Sequence, residues 1–301
     1  MNKAEIYILS GFLGSGKTTL LKELLKKEKE ENRKVAVLMN EFGSISIDSN
    51  EVDNDIPLKE LLGGCVCCTI QEKLEAQLQS LLIEEKPDVI YLETTGAAHP
   101  VETMDSILSP LFVNKLQLKG IITVIDGKQW LNRQSFSPVI QQLLLEQVRH
   151  ANLILINKQD LLKEEEKAAL TFELQSINAQ AFALLTSYSK VPYNKVKELQ
   201  VHFNGRVAKT TITSLQLSSF VYTFEHSISA DKFDSFLRSL PETIYRIKGY
   251  VPFSHAKYPS LFQYSYGTPI FMQEYMMMPL NMVFIGEKIN WGEIEAKLDI
   301  L

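Results

Sequence analysis

No apolar run in this 301-residue chain approaches the roughly 20 residues that span a bilayer, which argues against a membrane-crossing helix. A clustered basic stretch is also missing. With 31 Lys and Arg against 36 Asp and Glu, the net charge is −5, so the electrostatic footprint of a nucleic-acid or membrane-surface binder is absent. The five histidines, at 99, 150, 202, 226 and 255, lack the spacing of a ligand set. Internal repeats and low-complexity tracts are absent too. Cysteine is limited to Cys65, Cys67 and Cys68, and an odd set packed into four positions is no disulfide framework. The apolar part of the N-terminus is short and runs into glycines, unlike a secretion signal, so the chain reads as cytoplasmic.

What remains, 45% hydrophobic and 22% charged, is enough to build one large or two modest globular domains. Short β-branched runs at 5–9, 34–39, 88–92, 120–125, 152–156 and 181–185 look like buried parallel strands. Between them lie segments with helical spacing, such as Leu20, Leu21, Leu24 and Leu25, or Leu74, Leu78, Leu81 and Leu82 before Pro87. The alternation predicts a doubly wound α/β fold with ligands at the carboxyl ends of the strands. The charge run at 26–34 reads as the solvated face of the first helix. Past Gly205 the pattern changes to strands near 219–224, 243–250, 261–266 and 281–286, with helices at 230–240 and from Trp291. This predicts a first domain over 1–205 and a smaller α+β domain over 206–301.

Directly after the first strand stands Gly11-Phe12-Leu13-Gly14-Ser15-Gly16-Lys17-Thr18, the G-x-x-x-x-G-K-[ST] phosphate loop in its required strand–loop–helix context. Glycines let successive N–H groups face a β-phosphate, the helix that starts at Thr18 and Thr19 adds its dipole, Lys17 reaches the β/γ-oxygens, and the Thr18 hydroxyl ligates Mg²⁺. A P-loop lysine is also expected to be solvated before nucleotide arrives. Base choice needs a second site, and Asn157-Lys158-Gln159-Asp160 follows the apolar run NLILI. Guanine presents N1–H and N2–H₂ donors that the Asp160 carboxylate accepts together, which adenine cannot match. Thr186 and Ser187, past the next run, are expected to pack beneath the base. The stretch 89–96, VIYLETTG, ends a strand in an acid and closes on a glycine. Glu93 is expected to hold Mg²⁺ through water, with a capping role as the alternative, and the Gly96 N–H to sense the γ-phosphate at the start of a moving loop.

Two glycines precede Cys65-Val66-Cys67-Cys68-Thr69, and a helix is expected from about Ile70. Thiolates on a tight loop at a helix N-terminus ionise readily and converge on a soft cation. Three thiolates leave one of zinc's four positions for another group, which suits transient carriage. A redox thiol pair and inert packing are the alternatives. Residues 40–48, NEFGSISID, end the second strand, and there Glu41 or Asp48 either completes a metal shell or is a solvated loop acid.

In order along the chain, GFLGSGKTTLL, NEFG, GGCVCCT, ETTG and NKQD, with RIKGYV and VFIGEKINW in the second domain, resemble the CobW/YjiA-type P-loop GTPases. These are relatives of cobalamin-pathway, nitrile-hydratase-activator and zinc-chaperone proteins. The resemblance implies GTP hydrolysis coupled to delivery of Zn²⁺ or another transition metal to a client metalloprotein. It implies Cys65, Cys67 and Cys68 as metal ligands, residues 11–18 as the phosphate loop and residues 157–160 as the guanine site, with nucleotide contacts approaching the Cys68–Thr69 turn. Partners are then GTP, GDP and a client, with a homo-oligomer left open and with neither nucleic acid nor membrane. Many relatives carry a histidine-rich stretch, absent here, and His99 stands where an acid often precedes the proline. A small-molecule kinase and a zinc protein indifferent to nucleotide are the rival readings.

Overall fold

The alternation of apolar runs and leucine-spaced segments becomes, in a computed structural model covering residues 3–39, 58–60, 70–200, 217–265 and 267–301, two compact units. Unit 1 comprises Met1–Ile107 and Lys115–Val201, and unit 2 comprises Leu108–Asn114 and His202–Leu301. Glu41, Asp48, Cys65, Cys67, Cys68 and the expected boundary at 205/206 lie outside the described residues. No helix among the described residues is long and apolar enough to cross a membrane.

Unit 1 runs β1 (Ala4–Ser10), α1 (Lys17–Glu30), β2 (Val35–Met39), β3 (Leu58–Glu60), α2 (Ile70–Ser80), β4 (Val89–Glu93), α3 (Pro100–Ile107) and β5 (Leu116–Asp126). It continues with α4 (Gly127–Leu131), α5 (Pro138–Arg149), β6 (Leu153–Asn157), α6 (Glu164–Ile177), β7 (Phe182–Leu185) and α7 (Tyr193–Lys197). All pairings in the sheet are parallel and the order is β3-β2-β4-β1-β5-β6-β7. The chain therefore leaves central β1 toward one edge and later returns to build the other, and the reversal places a crevice at the carboxyl end of β1. Strands β2, β4 and β6 are buried at every position, which is why they read as unbroken apolar runs rather than alternations. One face packs Leu20, Leu21, Leu24 and Leu25 of α1 over Tyr7, Val37, Tyr91 and Leu155. The opposite face packs Trp130, Leu144, Val148, Leu170 and Leu174 over Ile125, Ile154 and Ile156.

Unit 2 contains β8 (Leu217–Thr223), α8 (Ala230–Arg238), β9 (Ile244–Val251), β10 (Ser260–Ser265), β11 (Thr268–Gln273), β12 (Asn281–Glu287) and α9 (Trp291–Leu298). Its five strands form an antiparallel sheet ordered β11-β10-β9-β12-β8. Its core is aromatic, with Phe233 surrounded by Phe236, Phe253, Phe262 and Phe271. The α/β first unit and α+β second unit are those the sequence predicts. Three details differ. β5 begins at Leu116 rather than 120, because its early polar residues include a buried Lys119 paired with Glu5 at 3.3 Å, which masks the apolar run. β11 carries no alternation because all six residues are exposed. The charge run at 26–34 is not wholly solvated. Glu28, 1% exposed, accepts from the Tyr91 hydroxyl at 2.5 Å and pairs with Arg33 at 3.3 Å.

This Glu28 contact pins the far end of the helix whose first turn carries Lys17. Removing one partner of a buried pair strands the other. Glu28→Ala should lower stability by about 3 kcal/mol, and Glu28→Gln, still able to accept from Tyr91, should cost less; urea denaturation of the whole chain measures both.

Candidate functional site

The loop between β1 and α1 is built on conformations only glycine accepts easily. Gly11 has φ 133°, and a Cβ there would stand 2.1 Å from the Val124 carbonyl oxygen. Gly16 has φ 112°, and a Cβ there would stand 2.4 Å from Asn157 Nδ2. Helix α1 begins at Lys17, one residue before the expected start, and its first turn holds no acidic side chain, so the positive end of the dipole is left for an anion. Ser15 is buried, and its hydroxyl finds no hydrogen-bond partner among the described residues.

Lys17 differs from the sequence expectation. It is 8% exposed, and its ammonium donates to the carbonyls of Gly11 at 2.8 Å and Phe12 at 3.3 Å. The loop curls over its own lysine, so Lys17 has a structural role in the fold as well as a charge to offer. One residue on, the Thr18 hydroxyl donates to Glu93 Oε1 at 2.7 Å. Glu93 ends β4, in register with Leu9 of β1 and Met39 of β2, and is buried. The two expected Mg²⁺-side residues are thus brought into direct contact. Gly96 lies against the phosphate loop: a Cβ there would be 2.7 Å from Leu13 N. Thr19 is exposed on α1.

The tetrad at the end of β6 meets the same loop. Asn157 is buried; its Nδ2 donates to Ser15 O at 2.8 Å and its Oδ1 accepts from Ser189 N at 2.9 Å. Ser189 Oγ donates in turn to Gly16 O at 3.0 Å. Lys158 adopts φ 60° and its ammonium reaches Asp126 Oδ2 at 2.6 Å, while Asp160 is exposed at the surface of the loop. Thr186 supports the tetrad through its backbone, accepting from Gln159 N at 3.1 Å, and its hydroxyl donates to Lys190 O at 2.6 Å. Tyr188 and Ser189 both have positive φ without being glycine, a strain these bonds hold in place.

Several contributors escape the sequence reading. Asp126 had a usable signal, an acid ending the run IITVID at the ligand end of a strand. Gln147 and His150 had none, since Gln147 reaches the site from α5 and His150 from the residue that ends it. Gln147, 1% exposed, donates to Gly96 O at 3.1 Å and Ala98 O at 3.4 Å. His99, the one histidine expected near the site, has a second beside it, with the His150 ring centroid 6.3 Å away. Burial, and then the neighbouring His150, hold His99 below the usual imidazole range. The hydrogen bond from His150, at 3.0 Å, holds Glu146 below the usual carboxylate range.

The donor set fits a magnesium nucleotide. The Thr18 hydroxyl and Glu93 carboxylate are hard oxygen donors, and the glycine cradle leaves backbone N–H groups for phosphate. Two outcomes follow from the geometry. Lys17→Ala leaves the Gly11 and Phe12 carbonyls short of a donor, so the nucleotide-free protein should lose about 1–3 kcal/mol, read from its melting curve. Because His99 binds its proton more weakly folded than unfolded, stability should fall as pH drops below about 6.5, and His99→Gln should flatten that decline in melting runs from pH 7.5 to 5.5.

Residues 5–184 match the family described as CobW/HypB/UreG, nucleotide-binding domain, and residues 217–301 match the cobalamin synthesis protein cobW C-terminal domain. Among similar proteins, the zinc chaperone YeiR of Escherichia coli (strain K12) is 32% identical over 221 residues, covering 70% of this chain and 66% of that protein. The zinc-regulated GTPase metalloprotein activator 1 of Dictyostelium discoideum is 28% identical, covering 64% of this chain and 48% of that protein. The matched stretches thus span between about half and two thirds of these relatives' length. The crystal structure of zinc-bound YjiA GTPase from E. coli shares the fold at TM-score 0.50 and 22% identity, over 100% of this chain and 99% of that one. Family match and fold agree with the strand order and glycine cradle described above: the chain belongs to the CobW/HypB/UreG family and carries that family's nucleotide-binding domain followed by a CobW C-terminal domain.

Proposed function

We propose that the chain is a GTPase metallochaperone that carries Zn²⁺, or another transition metal, on Cys65, Cys67 and Cys68 and delivers it to a client metalloprotein. The observation that carries the nucleotide half is the bond from Asn157 Nδ2 to Ser15 O at 2.8 Å, which joins a guanine-type tetrad to a phosphate loop. In this reading Gly11, Gly14, Ser15, Gly16, Lys17, Thr18 and Thr19 form the phosphate side, and Asn157, Lys158 and Asp160 the base side. The Asp160 carboxylate accepts from guanine N1–H and N2–H₂, and its exposure leaves it available to do so. Phosphate oxygens take over the Lys17 ammonium from the Gly11 and Phe12 carbonyls. Thr18 and Glu93 would hold Mg²⁺, Glu93 through water, and the ion would supply neutralisation of the phosphate charge. Lys17 and the backbone N–H groups of the loop stabilise the same charge, and Gly96, already against Leu13, registers whether a γ-phosphate is present. Water attacks the γ-phosphorus as the bond to the β-phosphate oxygen breaks, giving GDP and phosphate.

The metal half is supported by the chemistry of three clustered thiols and by relatives named zinc chaperone and zinc-regulated GTPase metalloprotein activator. Glu41 and Asp48 are retained as further metal-shell candidates. Residues 1–205 hold the nucleotide and metal sites, and 206–301 form the accompanying domain. The cytoplasm is the assigned compartment, self-association stays open, and the net charge of −5 leaves nucleic acid and membrane outside the partner set.

Asp160→Asn should weaken GTP binding by roughly tenfold or more and admit xanthine nucleotide, since a charge-assisted bond contributes about 1.5–3 kcal/mol. Competition titration with GTP, ATP and XTP reads this, and unchanged GTP affinity removes Asp160 from the site. Zinc affinity, measured against a chromophoric chelator, should differ by about 1–3 kcal/mol between a non-hydrolysable GTP analogue and GDP. It should also fall with pH as thiolates take up protons. Full zinc binding after changing Cys65, Cys67 and Cys68 to serine ends the metal assignment.

A further inference from the structure

The phosphate and base motifs leave one buried carboxylate of the site without a role. Asp126 ends β5 in register with Asn157 at the end of β6 and is 7% exposed. Its Oδ1 accepts from Lys128 N at 2.9 Å and Gln129 N at 3.1 Å, capping α4. Its Oδ2 accepts from the Lys158 ammonium at 2.6 Å. Lys128 does not compete for it, because its own ammonium is held by both oxygens of Glu166 at 3.0 Å. Next along the chain, a Cβ on Gly127 would stand 2.6 Å from Leu162 Cδ1, so the end of β5 and the segment after the tetrad press together without slack. The cap also fixes Gln129, whose Nε2 donates to Leu13 O at 3.2 Å in the phosphate loop.

One side chain therefore grips both halves of the nucleotide site. Resting on the guanine-nucleotide reading, we propose that Asp126 is a positioning residue for base selectivity: it orients Lys158 within the base-reading tetrad and, through α4 and Gln129, sets that tetrad against the Leu13 turn of the phosphate loop. A lysine side chain has many rotamers, and a tethered ammonium removes that freedom before ligand arrives. The tether is strong enough to matter because the acid is almost fully buried while the lysine side chain is 37% exposed, so the carboxylate has its position fixed by the cap and the lysine comes to it. Selectivity then depends on a charge that touches neither base nor phosphate.

The two oxygens separate the two roles experimentally. Asp126→Asn keeps an oxygen to accept from Lys128 N and Gln129 N but loses the carboxylate that holds Lys158. In the full chain, binding of GDP and ADP is measured by competition with a fluorescent GDP analogue, alongside the melting curve without nucleotide. Asp126→Asn is expected to weaken GDP about tenfold with ADP little changed, so that guanine preference drops by the same factor. Lys158→Met, which leaves the α4 cap untouched, should reproduce that loss, and adding Asp126→Asn to it should change nothing further. Gln129→Ala should weaken GDP and ADP alike. Independent, additive losses from the two substitutions, or full guanine preference in Asp126→Asn, overturn the proposal while leaving the guanine reading intact. Absence of guanine preference in the unaltered protein removes both. Should Asp126→Asn melt early, Lys158→Met still decides: unchanged preference in that variant overturns the proposal.

Discussion

The Asn157 carboxamide is the tie on which the arrangement of the site depends. It is buried between two loops that are far apart in sequence, donating to Ser15 O and accepting from Ser189 N. A buried amide tolerates neither a missing donor nor a missing acceptor without a penalty of about 1–3 kcal/mol, so both loops are held to the positions that satisfy it. Gly16 is glycine because this amide passes 2.4 Å from where a Cβ would be. The positive φ of Ser189, and of Tyr188 before it, is the conformation that turns the Ser189 N–H toward Asn157. The phosphate-loop motif and the N-K-x-D tetrad are thereby tied into one hydrogen-bonded constellation, which on the proposed reading joins phosphate grip to base reading.

Around that tie, polar side chains of the two motifs are held by partners within the site. Lys17 sits on loop carbonyls, Thr18 on Glu93, and Lys158 on Asp126. Such contacts keep the buried polar groups, Lys17, Glu93 and Asp126, partnered where unpaired charge is costly. On the proposed nucleotide reading, a phosphate or base would bind by taking over these partners from groups already in place.

Helix α5 adds a connection from the opposite face of the sheet. Gln147 bonds the Gly96 and Ala98 carbonyls that follow Glu93, and His150, just past the end of α5, stands beside His99. The segment expected to respond to the γ-phosphate is therefore held by a helix whose other residues pack in the core with Trp130 and Leu174. A change at Gly96 has a direct mechanical path to that helix, through a single buried carboxamide.

Much of the fold was legible because parallel strands buried on both faces must be unbroken apolar runs, and the runs ending at Leu9, Met39 and Ile156 say so in sequence. The phosphate loop was legible because backbone geometry demands glycine at Gly11 and Gly16, and the tetrad stood out as a motif whose acid, Asp160, suits guanine's donors on the proposed reading. Sequence could not reveal that Lys17 would be buried on carbonyls, since loop curvature decides that. It could not place Glu28 in the core, because a glutamate in a charge run looks solvated until Tyr91 and Arg33 arrive from elsewhere. Nor could it join Asp126 to Lys158 or Gln147 to Gly96. The residue types were determined locally by backbone conformation and ligand chemistry; which of them meet was decided by strand order, because only the parallel sheet brings the ends of β1, β4, β5 and β6 to one edge.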